Sequence, residues 1–314
     1  MDVLAQGGMG TIYRALDREL DREVAIKIVT LPELAPEDAE RLRIEARILA
    51  RLEHPGIVPV HDLGKLTDGR DFAVMKLVRG RSLDQVAGGA EHGGGAVGDH
   101  SPALPLRERL RIVEQLGHTL AFAHARGVFH RDLKPENVMI GEFGETLLMD
   151  WGVASIEGVA ETEGTVFGTP GYMAPEQAAG DLDRIDARTD VFGLGGILVF
   201  LLSGAAPFAA RTPAEARELF ASRSADPCAG LPRSIPKPLK AICARALAPD
   251  PADRYASALE FSRDIARYES QEPVSAYREG LFERLGRLVM RYRTPLILIV
   301  TYLALRLFLI FRGR

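Results

Sequence analysis

Residues 130–137 read HRDLKPEN, and eighteen positions after Asp132 stands Asp150, in MDWG. Asp132 and Asp150 are carboxylates and Asn137 is an amide. Two acids and an amide suit a hard divalent cation and the phosphates around it, because Mg2+ takes oxygen ligands and completes one or two carboxylates with substrate phosphates. A solvated turn could be as polar. Here, however, the run passes from the apolar LAFAHARGVF straight into VMI with no Gly or Ser between, so these groups are expected to line a cleft. Phosphoryl transfer is the chemistry they predict.

Two earlier features fit that chemistry. GGMGTIY places Gly7, Gly8, Met9 and Gly10 ahead of β-branched Ile12, a flexible turn whose backbone amides can approach phosphate oxygens, although a plain Gly-rich hairpin would read the same way. VAIK sets Lys27 on a strand, and Glu45 falls on the following helix at a face that could meet it. A strand lysine taken alone usually snorkels to solvent.

The elements that must position these groups follow from periodicity. Residues 3–30 alternate strand-like runs with turn chemistry, which predicts a hairpin. Residues 36–52 predict a helix with Leu42, Ile44, Ile48, Leu49 and Leu52 at helical spacing. GIVPVHDLG and DFAVMKLV read as strands. From 87 to 105, AGGAEHGGGAVGDHSPALP carries too little apolar surface to offset its conformational entropy and predicts a disordered loop, with His92 and His100 in it as ordinary solvated histidines. Beyond it the chain turns helical: LRERLRIVEQLGHTLAFAHARG is amphipathic, DVFGLGGILVFLLSG reads as a buried core helix, and 212–222, 236–247 and 255–268 continue the pattern. The fold class is α+β, with a β-rich amino lobe over 1–79 and a helical carboxyl lobe over 80–269, then a linker over 270–293 and an apolar helix over 294–311.

In order along the chain, the Gly-rich turn, VAIK, Glu45, HRDLKPEN, DWG and GTPGYMAPE resemble the protein kinase superfamily over about residues 4–268, and most closely the bacterial, eukaryotic-like (Hanks-type) serine/threonine kinases. The resemblance implies a bilobal fold, ATP and Mg2+ (or Mn2+) as cofactors, and protein serine or threonine hydroxyls as acceptors. It implies that Asp132 orients the acceptor hydroxyl, that Lys134 neutralises charge on the transferred group, and that Asn137 and Asp150 hold the metal across the phosphates. Lys27 would grip phosphates when paired with Glu45. Leu4, Ile12, Ala25 and Met75 would line an adenine slot, with backbone near Lys76 and Val78 bonding the base. Leu49, Val60, His130 and Trp151 would stack into an apolar column between the lobes. Glu176 would pair with Arg254, and Asp190 would accept hydrogen bonds from the catalytic-loop backbone. Lys134 and Thr169 resemble serine/threonine rather than tyrosine kinases, and Arg131 marks an activation segment ordered by phosphorylation, with Thr162 and Thr165 as its acceptors.

Three positions depart from the family pattern. Ala5 stands where the first loop glycine belongs, Trp151 replaces the usual Phe, and most of the first strand is expected to be missing, leaving the small sheet an incomplete edge. A kinase-like scaffold that only binds partners is the rival reading, but it has no physical need for Lys27, Glu45, Asp132, Asn137 and Asp150 together. A small-molecule phosphotransferase would have no use for GTPGYMAPE.

Bulk properties bound the remainder. With 39 Lys+Arg against 43 Asp+Glu the net charge is −4, which gives no reason to expect nucleic-acid binding. Cys228 and Cys243 are too few for a disulfide framework and read as reduced thiols. The amino terminus shows no leader pattern. Residues 296–311, LILIVTYLALRLFLIF, are apolar on every side except at Arg306, with arginines flanking both ends, and predict a single membrane-spanning helix, with a helix lying on the membrane surface or a buried globular helix as the other readings. More arginines precede the run than follow it, which places the lobes on the cytoplasmic side of an inner membrane. The implied partners are ATP, protein substrates, a membrane and a second copy of the chain.

Overall fold

The computed structural model describes residues 2–7, 10–29, 36–87, 104–156, 167–222, 226–280, 283–284 and 293–312. The amino lobe is a five-stranded sheet of β1 (Asp2–Gly7), β2 (Gly10–Asp17), β3 (Arg22–Val29), β4 (Val60–Lys65) and β5 (Asp71–Lys76), in the order β1-β2-β3-β5-β4. All neighbouring pairs are antiparallel. The edge expected to be incomplete carries a strand: β1 pairs with β2 from Asp2↔Arg14 to Gly7↔Gly10, with an irregularity between Val3 and Ala5. Ala5 therefore sits opposite Ile12, inside a paired strand.

Helix α1 (Pro36–Arg51) packs on this sheet through Ala39 and Leu42, while Ile48, Leu49 and the neighbouring Leu52 are buried in the core that it shares with the carboxyl lobe. Ile44, counted in the apolar stripe by spacing alone, instead faces out, and Glu45 is buried in its place. At 100° per residue Ile44 lies some 200° from Leu42, whereas Glu45 and Leu49 fall on the same face as Leu42.

The carboxyl lobe is built on α2 (Leu83–Ala87), α3 (Leu106–His124), α4 (Pro175–Ala179), α5 (Ala187–Ser203), α6 (Pro213–Ala221), α7 (Lys237–Ala246) and α8 (Ala258–Glu269). Helix α5 is buried from Thr189 through Leu202, which is why its sequence is apolar on every side. It starts at Asp186, whose side chain accepts from the Arg188 amide, and stops at Gly204 in the left-handed conformation. Short strands decorate the helices: β6 (Gly80–Ser82), β8 (Val138–Gly141) and β9 (Thr146–Leu148) form one sheet, and β7 (Val128–Phe129) pairs with β10 (Ser155–Ile156). The loop after α1 is fixed to the carboxyl lobe, because the Leu148 amide donates to the Gly56 carbonyl at 2.8 Å. Both cysteines are free thiols.

Ala87 closes α2 and is buried; most of the Gly-rich insert that follows, His92 and His100 included, lies outside the described residues. Residues 270–280 do not behave as a free linker. Val274 is buried, and the Asp264 carboxylate accepts from the Ser275 amide at 2.8 Å, the Ser275 hydroxyl at 2.7 Å and the Ala276 amide at 3.1 Å.

The tail forms a 20-residue helix, α9 (Arg293–Arg312), on which Ile297, Leu298, Val300 and Phe308 are each more than half exposed. Among the described residues no helix is long and apolar enough to cross a membrane, so the expected span is not shown. The charged Arg306 interrupts its apolar run.

Candidate active site

The loop 130–137 is bent by Arg131, whose φ of +67° is left-handed. Such a conformation costs energy in a residue with a Cβ and persists only where neighbours impose it. Buried Asp190 imposes it from the first turn of α5: its carboxylate accepts from the His130 and Arg131 amides, both at 2.8 Å. The next turn of α5 seats Leu133 against Gly193, where any Cβ would come within 2.7 Å of the Leu133 Cβ. From above, the Gln177 amide donates to the Arg131 carbonyl at 2.6 Å.

Held this way, the expected catalytic groups converge. Asp132 Oδ1 accepts from the Thr169 hydroxyl at 2.7 Å; Oδ2 accepts from Lys134 Nζ at 2.8 Å and Asn137 Nδ2 at 3.2 Å. Lys134 Nζ also donates to Thr169 Oγ1 at 3.0 Å, and Asn137 Nδ2 to the Asp132 carbonyl at 2.8 Å. Every group touching the Asp132 carboxylate is a donor, which leaves it an acceptor facing the cleft.

Across the cleft, Lys27 on β3 donates to Glu45 on α1 at 2.7 Å and lies 4.0 Å from Asp150 Oδ1. Burial pushes the Lys27 ammonium down, but the charges of Glu45 and Asp150 more than offset it and hold it above its ordinary value. Burial pushes the Glu45 carboxyl up, against the opposing pull of Lys27. Asp150 is itself left-handed, at φ +56°, and half exposed, with its carboxylate at the mouth of the cleft.

Ala25, Met75, Ile12 and Val78 belong to one apolar cluster, and Met139 and Leu147 join it from the carboxyl lobe. Leu4 does not: it is 48% exposed on the edge strand. Gly10, at φ +149°, is required where it stands, because a Cβ would lie 2.2 Å from the Ile28 carbonyl oxygen. Gly7 pairs with Gly10 across the hairpin, and Gly8 and Met9 lie outside the described residues. The Lys76 amide donates to the Pro59 carbonyl. Leu49 and Trp151 are buried in one core, Val60 packs on it, and the His130 ring meets the Trp151 indole edge-on at 4.7 Å.

The expected ion pair is bidentate, with Arg254 donating to Glu176 at 2.6 and 2.8 Å. Arg131 Nε donates to the Val153 carbonyl at 2.8 Å, and its guanidinium lies over the Phe167 ring. Thr162 and Thr165 lie outside the described residues. Sequence reasoning did not find Gln177 or His124. Gln177 directly follows APE, but its partner is 46 positions away and nothing local marks it.

The donor set fits a hard dication. The Asn137 Nδ2 is engaged by Asp132, which leaves its carbonyl oxygen as the ligating end, and Asp150 offers an accessible carboxylate. The Met149 amide donates to the main-chain carbonyl of Asn137 at 2.8 Å, tying the two ligand-bearing stretches together. Among the described residues no group of three or more His, Cys, Asp or Glu could hold a metal; one amide and one carboxylate suit a Mg2+ whose shell substrate phosphates and water complete.

Known proteins resemble this chain in sequence and in fold. Residues 1–263 match the family model for the protein kinase domain. The serine/threonine-protein kinase PknA of Mycobacterium tuberculosis (strain H37Rv) is 36% identical over 271 residues, covering 84% of this chain and 59% of that protein. PknH of the same strain is 37% identical over 266 residues, covering 82% and 39%. PknB of Mycobacterium leprae is 34% identical over 284 residues, covering 88% and 43%. The chain thus spans between 39% and 59% of the length of these relatives. Among solved structures, the Mycobacterium tuberculosis PknI kinase domain superposes with a TM-score of 0.63 at 28% identity, covering 85% of this chain and 94% of that one. With a catalytic-loop carboxylate facing a lysine–glutamate pair across a two-lobed cleft, and a family match over most of its length, the chain belongs to the protein kinase family, in its bacterial serine/threonine branch.

Proposed function

We propose that the protein transfers the γ-phosphoryl group of ATP to serine or threonine hydroxyls of proteins in bacterial signalling. The observation that carries this reading is the joining of Asp132, Lys134, Asn137 and Thr169 in one hydrogen-bonded cluster while the Lys27–Glu45 pair is closed. A carboxylate surrounded only by donors can accept the hydrogen of an incoming hydroxyl and aim its oxygen. Thr169 and Lys134 hold that carboxylate in register, and the Lys134 ammonium lies where negative charge on the transferred group is neutralised. Lys27, oriented by Glu45, meets the nucleotide phosphates, and the apolar slot of Ala25, Met75 and Met139 takes the base. A bound Mg2+ would supply charge neutralisation between the phosphates at Asn137 and Asp150. Positioning and electrostatics are the main work of such a site.

The finer parts of the reading concern control and place. Thr162 and Thr165 are the proposed activating acceptors, which a mass-spectrometric map of autophosphorylation tests. The exposed apolar residues of α9, with arginines at both ends of the run, support attachment to a membrane with the lobes on its cytoplasmic side. Confinement there would raise the local concentration of copies and favour phosphorylation of one by another. Recovery of the full chain and of a chain lacking α9 in the same soluble fraction would refute the attachment.

The enzymatic reading is tested with the full chain, labelled ATP and Mg2+. Label is expected on serine or threonine in the native protein and absent in Asp132→Asn. Equal labelling of the two would reject it.

A further inference from the structure

We propose that the Arg43–Asp71 ion pair sets the register of α1 on the sheet and so keeps Glu45 on Lys27, which makes Arg43 and Asp71 positioning residues for phosphoryl transfer. The inference deepens the kinase reading of the site and rests on it.

Asp71 opens β5 and is buried, with 5% of its side chain exposed. A carboxylate desolvated to that degree needs a charged donor. Among the described residues that donor is Arg43, whose Nη2 lies 2.8 Å from Asp71 Oδ2 across 28 positions of sequence. Arg43 stands on α1, two residues before Glu45. Its Nη1 also donates to Glu40 at 3.2 Å, one turn earlier on the same helix, so the guanidinium is held from both sides.

Strand register puts this pair beside the Lys27–Glu45 pair. Ala73 lies across from Lys27, and Asp71, two positions along β5, points to the same face of the sheet. Ala73 and Met75 share that face and are buried with Ala39 and Leu42 of α1. Among the described residues, α1 therefore meets one sheet face through an apolar patch and two ion pairs, Glu45 with Lys27 at 2.7 Å and Arg43 with Asp71 at 2.8 Å.

The two pairs have opposite polarity. In one the helix brings the acid and the strand the base; in the other the helix brings the base. A slide of α1 that carried Glu45 towards Asp71 would set two carboxylates together. The opposite slide would carry Arg43 towards Lys27 and set two cations together. Like charges in a partly desolvated site repel strongly, so both slides are opposed. The apolar patch cannot discriminate in this way, because hydrophobic attraction has no direction. Fixing register is the best-attested use of a buried charged pair. Register matters at this place because Glu45 orients the ammonium of Lys27.

The test uses the full chain with Arg43→Met, Arg43→Lys and Asp71→Asn. Methionine keeps much of the side-chain length and removes the donors; lysine restores the charge. In Arg43→Met the rate of phosphoryl transfer is expected to fall roughly tenfold, the scale of a small misplacement of a positioned group, and Arg43→Lys should recover most of it. Arg43→Met placed in a Lys27→Met background should change the residual rate by less than about twofold, because a residue that acts through Lys27 has nothing left to act on there. Acylation of Lys27 by an amine-directed reagent, read by peptide mass spectrometry, reports the pair without turnover. Its rate should rise in Arg43→Met, as the ammonium leaves Glu45, and return in Arg43→Lys. A native protein that transfers no phosphate would reject the kinase reading alone, with acylation still deciding the pair. Native transfer and native acylation in Arg43→Met would overturn the proposal. So would a further fall of about tenfold from Arg43→Met in the Lys27→Met background, which is what a merely structural residue would give. If Arg43→Met does not fold, Asp71→Asn, which keeps the partner's shape and removes its charge, decides by the same comparisons.

Discussion

Arg254→Met should be among the most destabilising single substitutions in the carboxyl lobe. Both partners of the Arg254–Glu176 pair are essentially inaccessible, with side-chain exposures of 0% and 1%. The guanidinium makes two bonds to Glu176 and also donates to the Ala248, Arg188 and Pro249 carbonyls. Methionine retains much of the length and none of the donors. Glu176 would keep the Thr189 hydroxyl at 2.9 Å, and three carbonyls would lose a bond each. Breaking one side of a buried pair costs about 3–5 kcal/mol, mostly because a charge is left desolvated. For a domain of this size each kcal/mol lowers the melting temperature by about 2–4 °C, so a fall of roughly 6–20 °C is expected. Thermal melts and urea titrations of Arg254→Met, Glu176→Leu and the double variant make the assay. The double variant should cost less than the two single costs together by about 0.5–3 kcal/mol, the range for residues in contact. A loss below about 1 kcal/mol in Arg254→Met, or strictly additive costs, would refute the reasoning. Activity should fall along with stability, since Glu176 and Gln177 share α4 and Gln177 holds the Arg131 carbonyl.

Lys27→Met removes the partner of a buried carboxylate and the ammonium nearest Asp150; phosphoryl transfer is expected to fall by about 10²–10³, as for loss of one positioned electrostatic group, and activity within threefold of native would refute it. Gly10→Ala places a Cβ against the Ile28 carbonyl at a strained φ, so about 1–3 kcal/mol of stability and faster amide exchange in β2 are expected; an unchanged melt and unchanged exchange would count against it. Burial pushes the Asp264 carboxyl up, but the Ser275 amide and hydroxyl, with Tyr255 and the Ala276 amide, more than offset it and hold it below its ordinary value. A depressed carboxyl contributes stability that is complete above its unfolded-state pKa and is lost as pH falls through its lower folded value, so the gap between native and Asp264→Asn in urea titrations should close on acidification from neutrality, and a gap constant down to pH 3 would refute it.

How the sequence and the fold divide the work is visible in single residues. Lys27 on its strand, the loop 130–137 and the buried α5 are legible because the forces that set them act within a few positions: alternation of faces, helical spacing, and a polar run bounded by apolar ones. A strand lysine and a helical glutamate can be named from spacing and resemblance, yet their 2.7 Å contact spans 18 positions and exists only because α1 packs on the sheet. Ile44 and Glu45 show the limit of spacing read by hydrophobicity alone, since the sheet buries the acid and leaves the apolar neighbour outside. His124, Gln177 and Asp190 come from three helices, and their partners lie between 46 and 66 positions away. By itself, then, the sequence determined which elements form and which chemical groups they carry. The direction of the Asp132 carboxylate was decided only by tertiary structure, because holding Arg131 left-handed requires hydrogen bonds from outside the loop, and no run of eight residues can supply them to itself.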